Sequence, residues 1–184
     1  KQFNDLISLK HFEPIKKNTY HLVTLVNHAI SLIDLYYETF PHYTLHNRQH
    51  QKNVLNLIGE LLVDYLQNLT DLECAIIILS VSYQDIGMVF KEDEIKEVEK
   101  ETNFKIFLNE NYTAKLQFEE NNSSANSSLI EWYCRWVHAK RVWLFLNKLD
   151  GSNYQWQSIS LRNIVGDISE SHNANASILD DDKK

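Results

Sequence analysis

A chain of 184 residues with 43% hydrophobic content can close one well-buried core without a second domain, so residues 1–184 are expected to form a single unit. Its 18 Lys+Arg against 25 Asp+Glu give a formal charge of −7, which disfavours broad binding to a phosphate backbone and argues against general nucleic-acid binding. No apolar run reaches the ~18 residues a membrane span requires, and the first ten residues lack a signal-peptide layout. The expectation is a soluble, cytoplasmic chain with no membrane partner.

Only 4 Gly and 2 Pro punctuate the sequence, which favours long helices over many short strands and predicts an all-α fold. After Pro14, residues 20–40 place Leu22, Val26, Ala29, Ile33, Tyr36 and Phe40 three or four apart, the period of a core-facing helix. His21 and His28 lie off that stripe and read as solvated or hydrogen-bonded residues. Pro41 breaks the helix, since it has no amide donor and clashes with the preceding turn. A loop over residues 42–47 leads into a second helix with Val54, Ile58, Leu61 and Tyr65 on one stripe, Leu55 and Leu62 beside it, and His50 one turn ahead.

Thr70 and Glu73 form a capping-box pattern that opens a third helix, apolar nearly all round, ending near Gln84. A helix without a polar face belongs in the middle of a bundle, so Gln84 and Asp85 should emerge from the centre of the fold, with Gly87 as a stop signal. Residues 91–101 read as a charged helix or lid and residues 104–116 as a short amphipathic helix. Residues 119–128 read as a flexible loop inserted within the domain. Ser128 and Glu131 suggest another capping box, opening a long helix to about Leu149 with Ile130, Cys134, Val137 and Arg141 in one register. A last helix is expected over residues 155–171, with Leu161, Val165 and Ile168 inward and His172 one turn further. Cys74 and Cys134 lie far apart in apolar patterns and read as buried free thiols. Trp132, Trp136, Trp143 and Trp156 read as helix contacts rather than platforms for bases. The polar end, residues 180–184, is too hydrophilic to pack, and the chain reads as part of a longer protein.

Against this greasy background, His50, Gln84-Asp85, His138 and Ser171-His172 stand at helix ends or on helix faces. Imidazole and carboxylate are the ligands used by metals that activate water for phosphoester hydrolysis. Four segments carry a more specific signal: Thr44-Leu45-His46-Asn47-Arg48-Gln49-His50 followed by Val54; Ile78-Leu79-Ser80-Val81-Ser82-Tyr83-Gln84-Asp85-Ile86-Gly87-Met88; His138-Ala139-Lys140-Arg141; and Ile168-Ser169-Glu170-Ser171-His172. In this order they resemble the motifs of the HD superfamily of metal-dependent phosphohydrolases in its five-histidine form. The His-Asp doublet is changed here to Gln84-Asp85, and the paired histidines to Ser171-His172.

The resemblance implies an HD-like helical bundle and a metal set of His50, Gln84, Asp85, His138 and His172. Asp85 and His138 would be catalytic, with Asp85 in the central, metal-bridging place. It implies a divalent cofactor, Mn, Mg or Fe, or a site that has lost its metal. The amide at Gln84 is a harder, weaker ligand than imidazole and suits Mg or Mn; its alternative role is a buried amide that holds Asp85. Arg48, Lys140 and Arg141 are candidates to grip a substrate phosphate, against solvated surface charge as the plainer reading. His46 reads as a loop residue near the pocket. The family's last acidic ligand falls at Asp180 or Asp181 or beyond the chain. Implied partners are a nucleotide or other phosphate-containing small molecule, single-stranded nucleic acid, and a C-terminal ATPase module of the same protein. The alternative is a catalytically weakened, ligand-sensing regulatory module of a larger protein.

Overall fold

The scarcity of Gly and Pro leaves few places where a helix must stop. In the computed structural model, which describes residues 20–35 and 48–173, the fold is all-α. Eight α-helices run through the described residues: α1 Tyr20–Ile33, α2 Arg48–Leu61, α3 Asp71–Tyr83, α4 Glu92–Glu97, α5 Thr102–Glu110, α6 Tyr112–Glu120, α7 Ser127–Leu146 and α8 Leu161–Ser171. Residues Ile86–Met88 form a 3₁₀ turn directly after α3. Among the described residues no single helix is long and apolar enough to cross a membrane.

Helix α3 is the axis of the larger core. Its start is fixed by a reciprocal cap, in which the Thr70 hydroxyl accepts from the Glu73 amide and the Glu73 carboxylate accepts from the Thr70 amide. Cys74, Ala75, Ile78, Leu79, Val81 and Tyr83 are buried around its circumference, as expected of a helix with no polar face. Leu22, Leu25, Val26, Ala29, Ile30 and Ile33 of α1 pack on one side of it, and Leu161 and Val165 of α8 join the same cluster.

A second, more aromatic cluster gathers Phe90, Phe104, Phe107 and Tyr133 with Val98, Ala114 and Cys134. Phe104 and Phe107 meet Tyr133 edge-to-face at 5.3 and 5.7 Å between centroids, a favoured arrangement of ring quadrupoles. Helix α7 serves both clusters: Leu129, Tyr133, Cys134 and Val137 face the aromatic one, Val142, Phe145 and Leu146 the aliphatic one. His138 lies at the changeover. Cys74 and Cys134 are buried free thiols, and burial pushes both thiols up.

Several expected boundaries move. α1 ends at Ile33, and the expected Tyr36, Phe40 and Pro41 lie outside the described residues, as does the side chain of His21. In α2 the buried positions are Gln51, Leu55 and Gly59, whereas the expected Leu61 and Tyr65 are 79% and 65% exposed. A polar Gln51 and a side-chain-free Gly59 on the inner face hid that register from a hydrophobic count. α7 starts at Ser127, because the Asn126 side chain accepts from the Leu129 amide, and Ser128 is not the cap. Residues 121–126 are a fastened turn, not a free loop: Asn121 donates to the Ser124 carbonyl at 2.8 Å, and the Ala125 amide donates to Glu99 at 2.7 Å. Finally, Gln155–Trp156 pairs antiparallel with Ile159–Ser160 in a small hairpin, so the last helix begins at Leu161 rather than at 155. Ile168, expected inside, is 43% exposed.

Candidate metal centre

The polypeptide turns sharply at the end of α3. Gln84 is the C-cap, and Asp85, at φ −99° and ψ 0°, swings into the Ile86–Met88 turn with its carboxyl buried. Gly87 presses this turn against α7. A Cβ at that position would lie 1.9 Å from the His138 carbonyl oxygen, so only glycine allows the approach. Arg141, one helical turn beyond His138, secures the same contact: its Nε donates to the Gly87 carbonyl and its Nη2 to the Val89 carbonyl, each at 3.1 Å. Nη2 also meets Glu94 at 3.2 Å, and the guanidinium lies over the Phe90 ring, 3.6 Å from its centroid. The arginine expected to grip a substrate phosphate is instead buried and committed to this backbone.

α8 brings the last histidine. Gly166 lets the Trp143 ring lie against the helix, Trp143 Nε1 donates to Glu170 at 2.8 Å, and the Ser169 hydroxyl donates to the Ser80 carbonyl at 3.4 Å. α8 is thereby tied to both α7 and α3, and its C-cap His172 reaches Asp85.

Three of the expected residues meet here. Asp85 Oδ1 lies 3.8 Å from His138 Nε2 and 4.0 Å from His172 Nε2, and the two Nε2 atoms are 2.8 Å apart. Each ring turns its Nδ1 to a carbonyl three residues earlier on its own helix, Arg135 for His138 and Ser169 for His172. A carbonyl only accepts, so Nδ1 carries the proton and Nε2 presents a lone pair in each neutral ring. Two lone pairs and a carboxylate oxygen thus converge, all within 4.8 Å of one another. That grouping is repulsive unless positive charge lies between them, and its separations suit a common cation held by bonds of about 2.0–2.2 Å. The Nδ1-to-carbonyl contacts are the outer supports that metal-binding imidazoles use to fix their tautomer.

The other oxygen of Asp85 faces different groups. His50 Nε2 lies 3.3 Å from Oδ2, and the Gln84 amide donates to Oδ2, also at 3.3 Å. The hydrogen bond to Asp85 pulls the His50 imidazole above its ordinary value despite partial burial. His50 sits in the first turn of α2, one turn ahead of Val54 as the sequence implies, and its neighbour Gln51 pins that turn by donating to the Ser82 carbonyl at 3.0 Å. Gln51 escaped the sequence reading; its clue was a place four residues before Leu55.

The remaining expected residues lie apart. Ser171 is exposed and its hydroxyl returns to the Ile168 carbonyl of its own helix at 2.8 Å. Lys140 is exposed, with Nζ 5.3 Å from the Trp136 ring centroid, on a groove of about 430 Å³ between α7 and α8. Arg48 is the half-buried first residue of α2. His46, Asp180 and Asp181 lie outside the described residues.

A family model described as HD-CE matches residues 40–184. The chain belongs to the HD-CE family. All four motif segments fall within the match, so the triad stands in an HD-type domain. No curated protein and no solved structure matches this HD-CE chain.

Proposed function

We propose that this HD-CE domain is a metal-dependent phosphohydrolase acting on phosphoester bonds, with nucleotides and nucleic acid as the substrate classes the HD resemblance implies, and that its site holds a single divalent metal. The observation that carries the reading is the convergence of Asp85 Oδ1, His138 Nε2 and His172 Nε2 with both Nδ1 atoms already turned to backbone carbonyls. The donor set is two imidazoles and one carboxylate, which suits Mn, Fe or Mg in a site left open to water and a phosphate oxygen. When bound, such a metal polarises the phosphoryl group and lowers the pKa of a water molecule.

The chain's own residues divide the remaining work. Asp85 and His138, on the α3 turn and α7, hold the centre with His172. His50, on the Oδ2 side of Asp85, would carry a proton to or from that edge, and its contact with Asp85 favours the protonated ring. Gln84 steadies Oδ2 as an amide donor. Arg141 is a positioning residue that locks the Asp85 turn to the helix bearing His138. Two departures from the five-histidine pattern favour one metal over two: the Gln84 amide nitrogen faces Asp85, and the Ser171 hydroxyl is used within its own helix.

Those same departures support a second reading, a regulatory module of a larger protein, joined to an ATPase segment, that binds a phosphate-bearing ligand without turning it over. Metal content and turnover separate the two. Protein purified without chelator should carry near-stoichiometric metal and hydrolyse bis-p-nitrophenyl phosphate with Mn²⁺, and Asp85→Ala should lose both. Metal bound without turnover supports the regulatory reading; no metal after Mn²⁺ soaking, with equal rates in the two proteins, removes the metal centre altogether.

A further inference from the structure

We propose that the cavity beside the metal centre receives the ester group of the substrate, and that the substrate is a phosphoester of a small apolar alcohol; this rests on the metal-dependent phosphoester reading. Between α2, α3 and α8 lies a cavity of about 240 Å³ whose walls include Ile58, Leu62, Ile77, Val81 and Ile168. It reaches the metal centre at two points: His172, a member of the triad, and Gln84, whose amide touches Asp85. A phosphoryl group held at the triad therefore has an apolar recess within reach of its ester oxygen.

The lining sets the chemistry of what fits. Among the described residues its walls are mainly aliphatic: the one ring on them is the imidazole of His172, which belongs to the triad, and no Lys, Arg, Asp or Glu is there to meet a second phosphate. Gln84 and His172 on the wall are turned to Asp85, whereas Ser80 Oγ lines the cavity, lies in a residue only 6% exposed, and has no hydrogen-bond partner among the described residues. A buried hydroxyl without a partner is unfavourable, and a ligand carrying one donor or acceptor would relieve it. Ser169, the other hydroxyl on the wall, is already committed to the Ser80 carbonyl. A purine brings several polar edge atoms that would be stranded against Ile and Val, whereas one ring or a short branched alkyl group with at most one hydroxyl leaves none unmet.

Calorimetric titration of the full chain tests this with phenyl phosphate, inorganic phosphate, adenosine monophosphate and phenol, in the presence of Mn²⁺. Phenyl phosphate should bind at least about tenfold more tightly than inorganic phosphate, through burial of the ring. Ile77→Trp, which fills the recess from a half-buried wall position, should abolish that increment while leaving Mn²⁺ and inorganic phosphate binding unchanged. Ile168→Trp, at an exposed position, gives the same readout should Ile77→Trp fail to fold. Among hydroxyphenyl phosphates, at least one isomer should exceed phenyl phosphate, and Ser80→Ala should cancel the excess. Phenyl and inorganic phosphate binding equally, or adenosine monophosphate binding more tightly than phenyl phosphate, overturns the assignment. A failed metal centre looks different: Mn²⁺ binding is absent, yet phenol still binds and Ile77→Trp still displaces it.

Discussion

The two oxygens of Asp85 face unlike surroundings, and the contrast separates holding a cation from handling a proton. On the Oδ1 side, His138 and His172 come from helices locked together and to α3, and both rings are fixed by carbonyls. On the Oδ2 side, His50 is about one-third exposed on the first turn of α2, and its companion is the uncharged Gln84 amide. Lone pairs held on fixed tautomers are suited to a metal; an imidazole drawn toward its charged form by a carboxylate is suited to a mobile proton. Both sides depend on one carboxylate, so Asp85→Ala should give the largest effect, a fall of about 10³ or more in phosphodiester turnover. Retained activity in that variant would falsify the centre.

The sides should then part company. His138→Ala and His172→Ala are each expected to weaken Mn²⁺ binding by more than about 100-fold, while His50→Ala and Gln84→Ala weaken it by about 10- to 100-fold, in the range of outer supports. His50→Ala should instead lower turnover with metal bound and alter its pH profile. Equal losses of metal affinity in all four variants would make His50 and Gln84 ligands like the other two.

A smaller effect should come from behind the site, at the clamp between the Asp85 turn and α7. Arg141→Met leaves the Gly87 and Val89 carbonyls without their donor and should cost about 3 kcal/mol of stability, read from chemical denaturation. Gly87→Ala forces a methyl into the His138 carbonyl and should cost about 2 kcal/mol, with the backbone shift also loosening metal binding. Stability lost by Arg141→Met with metal affinity intact would mean that the clamp supports the fold and not the site.

What the sequence disclosed follows from which physical signal each element carries. α3 was legible because its capping box and its lack of a polar face are both local patterns, and they place Asp85 at the fold's centre. The convergence of His138 and His172 was not local; it rested on motif order, since no spacing along one helix brings them together. The burial of Arg141 was signalled by its register with Cys134 and Val137, and the plainer assumption that arginines are solvated hid it. The Gln155–Ser160 hairpin was missed because Trp156 and Ile159, three apart, mimic a helical stripe, and because its turn uses Gln157 at φ 54°, a conformation usually given to Gly or Asn. The α2 register failed for a related reason, with Gln51 and Gly59 turned inward where a count of apolar residues looks past them.

The smallest expected effect is on the pH dependence of stability in metal-free protein, where two histidines pull in opposite directions. His28 Nδ1 meets the Tyr83 hydroxyl at 3.0 Å, and burial, helped by the charge of Lys148, lowers its pKa below 6.5. Its contribution to stability is complete above 6.5, where the unfolded chain is also neutral, and is lost as pH falls from 6.5 through the folded value. His50 is the reverse: its pKa is raised by Asp85, so its contribution is complete below 6.5 and is lost as pH rises through the folded value. Chelator-treated protein should therefore melt highest near pH 6.5 and fall on both sides. His28→Asn should flatten the acid limb and His50→Gln the alkaline limb. Saturating Mn²⁺ should steepen the acid limb instead, because protons compete with the metal for His138 and His172. An acid limb unchanged by metal would separate those two imidazoles from the cation they are placed to share.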